Sequence, residues 1–135
     1  MDAYQTMPPA TFEALVASHL RTATHFPMHE ATLAAYLDQW KGEFGQRLYL
    51  HNADGLREHD TTELEPLLPS ITVPVRIVWG ESDAWLQPAT ADHLHELIPT
   101  SDLILLSDTG HFAMEDSPQQ IAATLFDFFT TCGNA

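Results

Sequence analysis

The second half of the chain contains two apolar runs of strand length, and each run ends in a turn that carries one ionisable residue. The first run, residues 73–79, leads to Asp83, and the second, residues 103–106, leads to His111. In parallel α/β sheets, the carboxyl ends of the strands are where ligands bind and chemistry occurs. A carboxylate and an imidazole at that edge are suited to the roles of orienting acid and general base in a hydrolytic triad.

Residues 71–131 follow a β-α-β-α order, which predicts an α/β fold. The first run is apolar on both faces, as expected of a strand covered by helices on each side. Pro88 suits the first turn of the helix between the strands, and the expected buried stripe of that helix is Ala91, Leu94, Leu97 and Ile98. A right-handed crossover through this helix makes the two strands parallel neighbours.

A terminal helix is predicted from the Ser-Pro-Gln-Gln segment at residues 117–120, which supplies a cap and a proline at the first helical position. Its expected buried face comprises Ile121, Leu125, Phe128 and Phe129.

Residues 1–70 have a helical pattern. Helices are predicted from Thr11, with that residue as the cap, from near His29, and over residues 44–52. A shorter helix is predicted over residues 60–68, where Thr62 and Glu65 have the spacing of a capping box and Pro69 ends the pattern. The sequence therefore divides into a helical part, 1–70, and a β-α-β-α part, 71–135.

Charge and composition exclude several function classes. The formal net charge is −14, with 19 acidic and 5 basic side chains, so electrostatic repulsion argues against nucleic acid or an anionic membrane as a partner. No run of 18 apolar residues and no secretory signal are visible, and the single cysteine, Cys132, fits a reducing compartment. A cytoplasmic location is expected.

Two segments resemble parts of the α/β-hydrolase family. Residues 73–83, Val-Pro-Val-Arg-Ile-Val-Trp-Gly-Glu-Ser-Asp, resemble the penultimate strand and acid turn of that family. Residues 107–118, Ser-Asp-Thr-Gly-His-Phe-Ala-Met-Glu-Asp-Ser-Pro, resemble its Gly-His turn and the start of its terminal helix. Residues 10–70 are similar to the cap, or lid, that many members insert before these strands. The resemblance implies a partial hydrolase sheet of two parallel strands flanked by helices and preceded by a helical cap.

The resemblance also implies roles for individual residues. Asp83 matches the triad acid and His111 the general base. The residues beside them match positions that border the substrate pocket: Trp85, Leu86, Phe112 and Met114. Core packing is the alternative for these four. The remaining histidines do not have convincing metal-ligand spacing, and neither a metal nor another cofactor is implied.

The nucleophile is the main departure from the family pattern. Members carry it on a Gly-x-Ser-x-Gly elbow before the cap, and no serine of this chain has that glycine setting. The chain therefore resembles the C-terminal half of a hydrolase for a small or hydrophobic substrate. The bond cleaved is left open among ester, amide, C–C, epoxide and carbon–halogen bonds.

Two other interpretations remain. The chain could be a non-catalytic truncated or split fragment that acts only with a complementing N-terminal half, or an unrelated small α/β binding module. An incomplete sheet would also expose a strand edge, which favours self-association.

Overall fold

A computed structural model describes residues 2–56 and 59–132 of the chain. The elements in its first part are the helices α1 Asp2–Gln5, α2 Pro9–Leu20, α3 Glu30–Asp38, α4 Gly42–Gly55 and α5 His59–Thr62, and then a 3-10 helix, Glu65–Ser70. The elements in its second part are β1 Val75–Gly80, α6 Ala89–Leu97, β2 Ser101–Leu106, α7 Ala113–Asp116 and α8 Pro118–Cys132.

The chain forms two compact units. One comprises Met1–Thr22 and Pro27–Leu64, and the other comprises Ala23–Phe26 and Glu65–Ala135. The second unit therefore begins six residues before the boundary at residue 71 that the sequence predicts, and it also includes a short segment from the helical part.

The first unit is a helical assembly in which α2 packs against α3 and α4. Its buried apolar side chains include Phe12, Val16, Leu20, Leu33 and Leu50. The Phe12 and Trp40 rings each meet Tyr49 edge to face, with centroids 5.5 and 5.2 Å away. The Phe12–Tyr49 contact joins α2 to α4, and the Trp40–Tyr49 contact joins the α3–α4 connection to α4. Aromatic pairs of this geometry contribute beyond their buried area.

The second unit contains two parallel strands, as the sequence predicts. They run in register from Val75 opposite Ser101 to Gly80 opposite Leu106, and α6 forms the crossover. Ala91 on α6 is fully buried. The α/β fold class is therefore confirmed, and the carboxyl ends of β1 and β2 lie side by side.

A cluster of charged residues joins the amino ends of the strands to α8. The Arg76 guanidinium donates to both carboxylate oxygens of Asp102, with the shortest distances 2.8 Å to Oδ2 and 3.0 Å to Oδ1, and to Asp127 at 2.7 Å. It also lies 5.3 Å from the Phe128 ring centroid. One side chain thus connects β1, β2 and α8.

Three local predictions are wrong. Helix α2 begins at Pro9 rather than at Thr11, because proline suits the first helical turn and needs no N–H there. The helix expected over residues 60–68 is two elements, α5 and the 3-10 helix, and Thr62 is the last residue of α5 rather than the residue before a helix. Pro66 has no N–H to donate to the Thr62 carbonyl, and its ring crowds that carbonyl, so α5 ends at Thr62.

The third correction concerns α8. Leu125 and Phe129, expected on its buried face, are 50% and 68% exposed, and so is the neighbouring Phe126, at 75%. Ile121 and Phe128 are half-buried. Two strands cover only part of this helix, which leaves an apolar stripe uncovered. None of the described helices is long and apolar enough to cross a membrane.

Candidate active site

The turn after β1 holds the carboxylate of Asp83 in one orientation. Its Oδ1 accepts hydrogen bonds from the backbone N–H groups of Trp85, at 2.8 Å, and Leu86, at 2.9 Å. The Asp83 N–H in turn donates to the Gly80 carbonyl at 3.2 Å. With Oδ1 occupied by its own turn, Oδ2 is directed away from that turn.

The loop after β2 is built around a buried threonine. Thr109 is fully buried, and its hydroxyl donates to the Ser107 carbonyl at 3.0 Å and lies 2.7 Å from the Ser117 hydroxyl. Asp108, before it, has a left-handed backbone with φ of +53°. Aspartate tolerates this conformation better than most residues, so the chain can turn sharply ahead of His111.

The two loops approach each other so closely that Gly80 cannot be replaced without a clash. A Cβ on this residue would lie 2.2 Å from the Thr109 carbonyl oxygen and 2.5 Å from that of Gly110. The Ser82 N–H also donates to the Thr109 carbonyl at 2.9 Å. Backbone contact, with no side chain between, sets the distance between the acid turn and the histidine loop.

This approach brings Asp83 and His111 into contact. His111 Nδ1 lies 2.9 Å from Asp83 Oδ2, within the hydrogen-bonding distance that the triad hypothesis requires. The carboxylate side chain is 4% exposed and the imidazole 27% exposed. The carboxylate of Asp83 is thus shielded from water, whereas the imidazole of His111 is partly accessible to water.

The surroundings of Asp83 keep it ionised. Burial alone would raise the pKa of this carboxyl, but hydrogen bonds from the Leu86 N–H, the His111 ring and the Trp85 N–H outweigh burial and lower the pKa below its usual value. An ionised carboxylate can only accept, so His111 Nδ1 must carry the proton that it donates. That tautomer leaves the lone pair of the neutral ring on Nε2.

The imidazole also contacts two aromatic side chains. The Trp85 ring centroid lies 4.7 Å from that of His111 with the planes tilted by 34°, and Phe112 lies 5.9 Å from the imidazole. The Trp85 and Phe112 rings are themselves 5.6 Å apart in an edge contact.

The known proteins that resemble this chain are lipases and other hydrolases. No protein-family model matches the chain. It is 31% identical over 88 residues to the monoacylglycerol lipase ABHD6 of Bos taurus, a match that covers 65% of this chain and 25% of that protein. It is 34% identical over 71 residues to the uncharacterized hydrolase YugF of Bacillus subtilis, covering 52% of this chain and 26% of that one.

A solved structure matches nearly the whole chain. An alpha/beta hydrolase fold protein from Burkholderia ambifaria superposes with a TM-score of 0.88 and 28% identity, over 93% of this chain and 47% of that chain. Over the matched part, this chain has the fold of an α/β-hydrolase. It spans about a quarter of the curated relatives and about half of the solved structure.

The hydrolase pocket residues predicted from the sequence lie in two settings. Trp85 and Phe112 are half-buried against the imidazole. Leu86 and Met114 are 47% and 56% exposed. Neither setting tests contact with a substrate, so the substrate-binding role of all four residues stays a prediction.

Sequence reasoning missed one group at this candidate site. The Asp116 carboxylate accepts backbone hydrogen bonds from Gly110, beside the histidine, and from His25 and Phe26, about ninety positions earlier in the chain. No pattern in the sequence indicates a contact over that separation. Only the fold brings Asp116 of α7 next to the segment Ala23–Phe26.

The described residues of the first unit line a cleft of about 730 Å³. It is lined by residues of the N-terminal lead-in and α4, including Met7, Gln46, Arg47 and His51. None of the predicted site residues lines it. Among residues 2–56 and 59–132, no group of three His, Cys, Asp or Glu side chains is arranged to hold a metal ion.

Proposed function

We propose that this chain supplies the acid and the general base of a hydrolytic triad in an α/β-hydrolase. Asp83 is the orienting acid and His111 is the base. The observation that carries the proposal is the 2.9 Å contact between His111 Nδ1 and a carboxylate that its own turn holds in place. Similarity to proteins named as lipase and hydrolase supports the same assignment.

The geometry supports a specific division of labour. The Asp83 carboxylate accepts the Nδ1–H of His111, which fixes the tautomer and stabilises the imidazolium that forms during the reaction. Nε2 takes the proton of the attacking nucleophile and returns it to the leaving group. It then removes a proton from the water that releases the product.

The nucleophile of this proposal lies outside these 135 residues. No serine of the chain has the Gly-x-Ser-x-Gly setting. A Gly-x-Ser-x-Gly or a Gly-x-Asp-x-x-Gly, read in frame upstream of Met1 in the genomic sequence, would identify the nucleophile and favour the enzyme over a non-catalytic fragment.

The substrate class that we propose is a carboxylic ester with a small or hydrophobic acyl group. A curated relative is named a monoacylglycerol lipase, which favours an ester over the amide, C–C, epoxide and carbon–halogen alternatives. The Trp85 and Phe112 rings beside the base would offer an apolar wall to the acyl chain. Residues 1–70 would be the cap segment of the complete hydrolase.

A complementing N-terminal half is the partner that this proposal requires, and self-association is the alternative. The described sheet has only two strands, so each strand has an outer edge without a neighbour in the described part of the chain. Sheets usually need three or more strands to be stable, and an open edge invites pairing. The exposed stripe of Leu125, Phe126 and Phe129 supports the same expectation.

A complementation assay tests the proposal. The purified chain alone should not hydrolyse an activated ester such as p-nitrophenyl butyrate, because it lacks the nucleophile and the oxyanion donors. Co-expression with the unmatched part of the Burkholderia ambifaria protein should restore hydrolysis. Restored activity that survives His111→Ala would overturn the triad assignment, and ester hydrolysis by the chain alone that depends on His111 would overturn the split of the triad.

A further inference from the structure

The backbone on both sides of His111 is anchored by hydrogen bonds. The Gly110 N–H donates to Asp116 Oδ2 at 2.8 Å, and the Phe112 N–H donates to the Ala23 carbonyl at 2.8 Å. Because the residues before and after the imidazole are both held, the backbone that carries the ring has little freedom to rotate.

The same carboxylate organises the segment that provides the second anchor. Asp116 Oδ2 also accepts the His25 N–H at 2.7 Å, and Oδ1 accepts the Phe26 N–H at 3.1 Å. Ala23, whose carbonyl holds Phe112, belongs to this segment. One carboxylate therefore supports both anchors, one directly and one through the segment Ala23–Phe26. Hydrogen bonds to an ionised acceptor are the stronger kind, so the arrangement is stiff.

The segment and the histidine loop are in direct backbone contact. A Cβ on Gly110 would lie 2.8 Å from the Ala23 carbonyl oxygen and 2.8 Å from the His25 nitrogen. With no side chain between them to absorb movement, displacement of Ala23–Phe26 would displace the loop.

We propose that Asp116 is a positioning residue for the general base, which it holds against Asp83 through Gly110 and through the segment Ala23–Phe26. The inference rests on the proposed function of His111. The proposal does not require a contact between Asp116 and the imidazole. Its effect on the reaction would pass through the backbone.

Three variants isolate this role. Asp116→Asn keeps the shape of the side chain but replaces one acceptor oxygen by an amide NH2, which cannot accept an N–H. Asp116→Glu retains both acceptor oxygens and tests for rescue. Asp92→Asn is the matched control, since it removes one negative charge from an exposed position in the first turn of α6, outside both the histidine loop and the segment Ala23–Phe26.

The readout is the Nδ1–H resonance of His111 in chain labelled with ¹⁵N at histidine, assigned by its absence in His111→Ala. Solid-state spectra serve if the chain self-associates. The resonance should be lost in Asp116→Asn, kept in Asp92→Asn and at least partly restored in Asp116→Glu. Amide exchange at Gly110 and Phe112 should rise about tenfold or more in Asp116→Asn, because each loses an anchor.

The outcomes separate this inference from the proposed function. If the unmodified chain has no such resonance, the proposed pairing of Asp83 with His111 fails. If Asp116→Asn folds and keeps the resonance while its thermal midpoint falls, Asp116 is only structural and the inference is overturned.

If the Asp116→Asn variant does not fold, the unmodified chain still provides a test. The Gly110, His25 and Phe26 amides share one acceptor, so they should exchange with common protection. Rapid exchange at His25 and Phe26 beside a protected Gly110 would overturn the inference.

Discussion

Each end of the small parallel sheet has a carboxylate hydrogen-bonded to a basic side chain, and the two arrangements differ in which group is buried. At the amino end, a partly buried guanidinium is held by the exposed carboxylates of Asp102 and Asp127. At the carboxyl end, a buried carboxylate is held by backbone N–H groups and by His111.

The difference lies in which group can change its charge. The hydrogen bonds that Arg76 donates to Asp102 and Asp127 raise the pKa of Arg76 further, so this side chain stays a cation at any pH at which the protein folds. An imidazole can gain and lose a proton near neutral pH. The amino end is therefore suited to holding elements together and the carboxyl end to moving a proton. The following substitutions test that division.

The largest effect is expected for His111→Ala in the complemented enzyme. Removing the base should lower kcat by roughly four to six orders of magnitude, as loss of a triad histidine does elsewhere. Circular dichroism and thermal unfolding should be almost unchanged, because the side chain is partly exposed and its loop is held by backbone hydrogen bonds. Near-normal kcat with intact folding would remove His111 from the mechanism.

Asp83→Asn should be the next largest. The amide offers an NH2 to His111 where the carboxylate accepted a proton, which favours the wrong tautomer, and kcat should fall by about four orders of magnitude. Steady-state kinetics of the complemented enzyme measures this fall. A variant that retains more than a tenth of the activity would show that the acid turn does not orient the base.

Arg76→Met should lower stability and leave catalysis intact. The variant loses the bonds that join β1 to β2 and α8, so its denaturant midpoint should fall, while kcat of the complemented enzyme stays within about twofold because the reacting groups are at the opposite end. Arg47→Met is the matched control. Its ion pair with Glu43 is exposed and 3.9 Å long, so its midpoint should not change measurably. Equal effects of both substitutions would contradict the stabilising role of the Arg76 cluster.

The smallest effect is expected in the acid limb of the stability curve. The folded-state pKa of Asp83 lies below its unfolded value of about 3.9. The carboxylate therefore stabilises the fold above that value, and the contribution is lost as pH falls through the lower, folded pKa. Denaturation from pH 6 to pH 2 should show a flatter acid limb for Asp83→Asn.

Asp102→Asn should flatten the same limb, because the hydrogen bond from Arg76 lowers the pKa of Asp102. Parallel curves for the unmodified chain and both variants would mean that neither carboxylate contributes to the pH dependence.

The sequence predicted the features that depend on order along the chain. Two apolar runs with a helix between them fix a parallel pair of strands, and residues that follow parallel strands meet at one edge. The proximity of Asp83 and His111 follows from these rules. The strand limits differ by one or two residues, since β1 ends at Gly80 and β2 begins at Ser101.

The features that the sequence did not predict depend on tertiary context. Asp116 has no local signature of its role, because its partners His25 and Phe26 lie about ninety positions away. Capping patterns were misleading for a related reason. Thr62 and Glu65 have suitable spacing, but the proline after Glu65 has the stronger effect on the backbone.

The contact at Gly80 has a consequence for which sequences the protein can explore. In a library of variants selected for folding, Gly55 should accept alanine, since a Cβ there meets nothing within 4 Å and helix propensity improves by roughly 0.5–1 kcal/mol. Gly80 should accept nothing, because even one added carbon would push the Thr109 backbone away. Sequencing the survivors would show whether selection keeps glycine at position 80, and with it the close approach of the loops that carry Asp83 and His111.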